Sequence, residues 1–298
     1  MFARLVRLAL SVAVLGCYYW NFVVSPVAEP PPPAMRTPAS APAVDEIRLL
    51  SGEADVAYKA GRYEAALAPL LDLNRTTPNS AIVIGRLAKT YGHLGRPRDE
   101  AQLWEQYLTL SPTPIDACPA LPKAYEVQGL ADKAFDAYQR CYALDPLNAD
   151  VIFHYALACE RRGDAARARQ LYESGAKIAP EYADMTAGLA RLALRSGDTA
   201  AAARAAGQAI KASPDNPDAL LLAAQAALRQ GHTREARAHL TKALALADAY
   251  ADLHVVMALV EERDGHREEA LSQCRRALAL EPRNRDAQAV LRRLSGAK

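Results

Sequence analysis

Bulky rings are scarce in this chain: 298 residues hold four Phe, two Trp and 13 Tyr, 6% aromatic in all. Ala and Leu carry the apolar content instead, a mix that favours close-packed helices over sheet. Charge of one sign is also lacking, with 36 basic against 34 acidic residues and a net charge of +2. Without a clustered basic excess, no nucleic-acid partner is expected. The five cysteines, Cys17, Cys118, Cys141, Cys159 and Cys274, include no CxxC pair and no zinc-finger spacing. There is no HExxH, no phosphate-cradling glycine loop and no GxSxG elbow. The six histidines are dispersed and read as ordinary polar surface. No catalytic residue, metal site or cofactor is therefore assigned, and an enzyme is the least expected class. What is plentiful is apolar side chain, 51% of the sequence, enough for a sizeable core.

The longest apolar run comes first. Residues 8–24 are interrupted only by Ser11 and Asn21, and extension back to Leu5 passes only Arg7. A span of about 20 residues crosses a bilayer core, and the Arg7 side chain can snorkel. Arg4 and Arg7 precede the run, and no Lys or Arg follows until Arg36. The positive-inside bias then puts the N-terminus in the cytoplasm and everything after Val24 on the far, periplasmic or extracytoplasmic, side. The preferred reading is an uncleaved single-pass anchor over residues 1–24. Val14-Leu15-Gly16-Cys17 also fits a lipoprotein box, which would lipidate Cys17, and a cleaved signal is the third reading. Residues 25–46 are rich in Pro, Ala and Ser and read as an extended spacer.

From Ile47 the sequence repeats every 34 residues. Gly61, Gly95, Gly129, Gly163, Gly197, Gly231 and Gly265 hold one register, and Pro78, Pro112, Pro146, Pro180, Pro214 and Pro282 hold a second, with Asp248 in the vacant slot. Glycine suits a left-handed residue just past one helix, and proline a stop just past the next. Small residues recur between them: Ala54, Ala88, Ala156, Ala190, Ala224 and Ala258 in the first helix, and Ala66, Ala134, Ala168, Ala202, Ala236 and Ala270 in the second. Such positions let antiparallel helices approach closely.

Spacing and residue types together resemble the tetratricopeptide repeat family, most clearly over residues 149–182, ADVIFHYALACERRGDAARARQLYESGAKIAPEY. The resemblance covers residues 47–284 as seven units and implies an all-α, right-handed solenoid of helix-turn-helix repeats. Residues 285–298, with Ala287, Leu291 and Leu294 on one face, read as a capping helix. Unit three departs from the pattern. Pro119 and Pro122 fall in its first helix, which either starts late or kinks, so Pro122→Ala is expected to stabilise it. Cys118 and Cys141 face each other across that hairpin, either as a disulfide or as two buried thiols.

The resemblance also implies where partners dock. The concave-face positions of units four to seven include Phe153, Leu157, Leu194, Leu221, Leu228, Val255 and Leu259. A ladder of Arg161, Arg195, Arg229 and Arg263 ends the first helices, and Asp116, Asp150, Asp184, Asp218 and Asp252 begin them. The ladder could meet an anionic stripe on a partner, or simply complement helix dipoles, which the opposite placement of the aspartates favours. An apolar strip with a basic edge suits an amphipathic helix or extended peptide. The Lys/Asn clamp of relatives that grip C-terminal carboxylates is missing, since Ser51, Asp55, Gly85 and Lys89 stand there. The expected function is a membrane-anchored scaffold for envelope assembly or export, or a non-catalytic subunit or regulator of a membrane enzyme complex, as in cytochrome maturation or polysaccharide export.

Overall fold

A computed structural model describes residues 44–296. The apolar run, Cys17 and the spacer up to residue 43 lie outside the described residues. Among the described residues no helix is long and apolar enough to cross a membrane. The chain divides between Leu49 and Leu50, within its first described helix, and the features beyond that helix belong to the part that follows the division.

Fifteen α-helices make up the described residues. Unit one holds α1 (Val44–Lys59) and α2 (Tyr63–Thr76), unit two α3 (Ala81–His93) and α4 (Pro97–Leu110), and unit three α5 (Leu121–Val127) and α6 (Ala131–Leu144). Unit four is α7 (Ala149–Arg161) with α8 (Ala165–Ile178), and unit five is α9 (Ala183–Ser196) with α10 (Thr199–Ala212). Unit six is α11 (Pro217–Gln230) with α12 (Thr233–Leu246), unit seven is α13 (Ala251–Arg263) with α14 (Arg267–Leu280), and α15 (Arg285–Ser295) follows. The first helix opens at Val44, three residues ahead of the expected repeat boundary.

The two sequence markers act at the helix ends. Each register glycine has φ between 66° and 85°. Around Gly163, the Asp164 N–H reaches the Cys159 carbonyl and the Gly163 N–H reaches that of Glu160, a Schellman closure repeated at the other six turns. A side chain at these φ values would be strained, which is why one residue type holds the register. The prolines, and Asp248, each stand two residues past a second helix. Ala156, Ala168, Ala190, Ala202, Ala224 and Ala236 are fully buried at the helix contacts. From α7 onward the first helices of consecutive units also touch one another, whereas the second helices do not approach comparably. First helices α7, α9, α11, α13 and α15 therefore line the inner side of a curved stack.

Unit three is the irregular joint. A 3₁₀ turn (Pro114–Ala117) replaces the start of its first helix, and α5 is left with seven residues. Pro122 sits in the first turn of α5 and is buried, where its missing N–H costs nothing and its fixed φ suits the helix. The expected gain from Pro122→Ala is thus corrected. The substitution removes buried ring and frees the unfolded chain, and should lower stability by about 1 kcal/mol in thermal melting. Cys118 and Cys141 are paired as a disulfide, with Cα atoms 5.2 Å apart, in a small cluster with Val151. Tyr107 Oη donates to Asp116 Oδ2 at 2.9 Å and fixes the same segment from unit two. Cys159 and Cys274 are free and buried.

Candidate partner-binding cleft

The arginine ladder does not work within its own helices. Each member reaches back 35 residues to the preceding unit. Arg161 donates to Glu126 Oε1 at 3.1 Å and Arg195 to Glu160 Oε1 at 3.3 Å. Arg229 and Arg263 donate instead to the carbonyls of Leu194 and Leu228. Those carbonyls end α9 and α11 and also accept the Gly197 and Gly231 N–H groups. A cation at the C-terminus of a helix is favourable, so for Arg229 and Arg263 the dipole reading is modified: the helix end served belongs to the preceding unit. The same 35-residue reach recurs for Arg140 to Glu105, at 2.6 and 3.0 Å, and for His93 to Tyr58, at 3.0 Å.

The most heavily engaged member of this series is Glu160, only 6% exposed. Arg191 clasps both carboxylate oxygens at 2.8 and 2.9 Å, and Tyr172 Oη donates at 3.2 Å. Burial pushes the Glu160 carboxyl up, but the guanidinium contacts outweigh it and hold the group below the usual carboxylate range. Arg195 is accordingly tied into a structural ion cluster. At Glu261 the leading cause is the Arg237 hydrogen bond, which with His266 holds that carboxyl low.

On the inner side, α11, α13 and α15 enclose a cleft of about 420 Å³. Of the residues expected at the interface, Leu228, Arg229, Val255 and Leu259 line it. Arg263 lies in an adjoining recess with Leu228, Leu259 and Glu262. The others are placed elsewhere. Leu221 is buried in the core cluster with Leu240, Leu253 and Met257. Phe153 packs on Tyr172 and Tyr182, with ring centroids 6.2 and 5.5 Å away. Leu157, like Phe153, is half-buried in unit four, and Arg161 borders a different recess, beside Phe135.

The cleft also holds residues that the sequence reading left out, chiefly Asp286, Ala289, Val290 and Arg293 of α15. The signal for them was present. Asp286 is 34 residues after Asp252, and Val290 is 34 after Val256, so the capping helix continues the register as an eighth first helix. Arg293 is clasped by Glu262, at 2.8 Å from its Nε.

Two tetratricopeptide repeat family models match residues 193–260 and 123–183. No curated protein matches the chain. Among solved structures, a tetratricopeptide repeat protein from Parabacteroides merdae is similar over 84% of this chain and 99% of its own, with a TM-score of 0.64 and 15% identity. PilF of Pseudomonas aeruginosa is similar over 70% of this chain and 95% of its own, with a TM-score of 0.59 and 18% identity. PilW, described as a widely conserved type IV pilus biogenesis factor, matches over 72% of this chain and 100% of its own, with a TM-score of 0.56 and 15% identity. At these identities the likeness is one of fold.

Proposed function

Because this chain is a tetratricopeptide repeat protein, we propose that it serves as a docking scaffold, holding a segment of a protein partner in the cleft between α11, α13 and α15. The observation that carries this reading is the cleft itself. Half-buried Leu228 and Leu259 form an apolar floor between charged rims, on the side where first helices converge. A pre-formed surface of this kind pays little ordering cost when a segment binds. Repeat residues account for the chain from unit one to α15, which supports a non-catalytic role.

A photoreactive phenylalanine analogue at Ala289, exposed in the cleft, should cross-link a discrete partner in intact cells. The same analogue at Arg204, exposed on the second helix of unit five, should not. Cross-linking from Arg204 alone would move the docking surface to the other side. The identity of the captured chain separates an assembly or export scaffold from a subunit or regulator of a membrane enzyme complex.

Display outside a membrane is part of the same proposal and rests on residues 1–24. A reporter that matures only outside the cytoplasm, fused after Lys298, should be active. Cytoplasmic activity of the complementary reporter would end the export reading. A diacyl group on Cys17 in the mature protein would replace the anchor by a lipoprotein.

A further inference from the structure

The charges around the cleft are sorted by position along the helices. The first helices of units six and seven and α15 run in register, so their starts share one rim and their ends another. At the starting rim stand Asp252 and Asp286. Asp252 accepts a hydrogen bond from the uncharged Asn284 amide at 3.2 Å, and among the described residues neither aspartate has an ion-pair partner. At the ending rim stand Arg229 and Arg263. Each gives one N–H to a main-chain carbonyl, and among the described residues neither meets a carboxylate. Glu262 is beside them, but its carboxylate is taken by Arg293.

Helix dipoles account for the signs of these residues at the helix ends. They do not account for a change between units. The position that supplies a neutralising carboxylate for Arg161 and Arg195, namely Glu126 and Glu160, is Leu194 and Leu228 in the next two units. That exchange frees the guanidinium faces of Arg229 and Arg263 and adds apolar surface beside them. A guanidinium carries five N–H donors, so one main-chain bond leaves most of its capacity open.

We infer that the cleft takes a bipolar protein segment, apolar in its middle, acidic at the end over Arg229 and Arg263, and basic at the end over Asp252 and Asp286. This deepens the docking reading and rests on it. Asp252 and Arg263 are 11 residues apart on α13, or about 16 Å along the helix axis. The segment therefore spans about 11 residues if helical and about five if extended.

The test uses the full-length protein in detergent and three fluorescent 12-residue peptides that share a central Leu-x-x-Leu. One has two Lys at one end and two Glu at the other, the second has Glu at both ends, and the third has Lys at both. The bipolar peptide should bind about tenfold more tightly than either of the others in fluorescence anisotropy. Arg229→Glu combined with Arg263→Glu should transfer the preference to the peptide with Lys at both ends. Asp252→Lys with Asp286→Lys should transfer it to the peptide with Glu at both ends. A switched preference is a gain that a misfolded variant cannot produce. Equal binding of the three peptides, binding of none, or variants that do not switch would each overturn the inference. If cross-linking from Ala289 persists in any of those cases, docking stands and only the bipolar partner is lost.

Discussion

Gly188→Ala should be among the most damaging single-methyl additions to the stack. A Cβ at Gly188 would lie 2.5 to 2.7 Å from three atoms of the Tyr172 ring. That ring is fully buried, and its hydroxyl is held by Glu160 and by Arg191, each at 3.2 Å. The ring cannot yield without breaking the ion cluster, so α8 and α9 must part. We expect a loss of about 3 kcal/mol, after the roughly 1 kcal/mol that Ala gains over Gly in helix propensity. Gly175→Ala is the control. Its Cβ would meet the Met185 sulfur at 2.5 Å, its methyl at 2.6 Å and Ile152 Cγ2 at 3.1 Å. Both side chains are fully buried, but the unbranched thioether adjusts more readily than a ring tethered by two hydrogen bonds. That variant should lose less than Gly188→Ala, about 1 kcal/mol once the helix-propensity gain of Ala is counted. Denaturant melts of both variants decide the matter, and a Gly188→Ala protein as stable as the parent would show that the helix approach is looser than described.

Arg191→Ala should be comparably severe for an electrostatic reason. It removes both bonds of the clasp and leaves the buried Glu160 carboxylate with Arg195 at 3.3 Å and the Tyr172 hydroxyl. Glu160 is buried while Arg191 is 38% exposed, so losing the arginine strands the carboxylate at the low end of the range for buried pairs, about 3 kcal/mol, whereas removing the whole polar cluster is close to neutral. Arg191→Leu with Glu160→Leu and Tyr172→Phe, which leaves no orphaned hydroxyl, should therefore melt near the parent. The pH dependence has a definite sign. The folded Glu160 carboxyl is depressed, so its contribution is present above the ordinary Glu value of about 4.3 and is lost as pH falls through the folded value. In Arg191→Ala the largest of the lowering contacts are gone while burial remains, so the group takes up a proton more readily than in the parent. The stability gap between parent and variant should narrow from about pH 7 to about pH 4. A gap that stays constant over that range would sink the electrostatic account.

The periodic features of the fold were legible because each acts within one helix or one turn. The register glycines, the prolines past the second helices and the paired alanines all sit where the 34-residue spacing puts them. The joint at unit three was readable as a late start, since Pro122 suits only a first turn. The energetic sign of Pro122→Ala was not readable, because it depends on burial. Arg161, Arg195, Arg229 and Arg263 were visible as a series, but their partners lie in the previous unit. Only side-chain placement shows that a Glu or a Leu one repeat back decides what each arginine does. Leu221 illustrates the same limit. Its spacing matches Leu228 and Val255, yet it turns into the core, because a first helix here is covered on most of its surface. The α15 contribution to the cleft was obscured by reading that helix as a cap alone.

The 35-residue reach of the arginines carries a consequence for how such a chain changes length. Arg161 takes Glu126, and Arg195, one period later, takes Glu160. If residues 149–182 were excised, Arg195 would stand in the place of Arg161 and meet Glu126 across an equivalent joint. The splice would retain a matching donor and acceptor without any second change. A joint specified by a fixed offset is indifferent to how many units precede it, so gene duplication or loss in whole repeats within the regular units keeps a donor opposite an acceptor at the new junction.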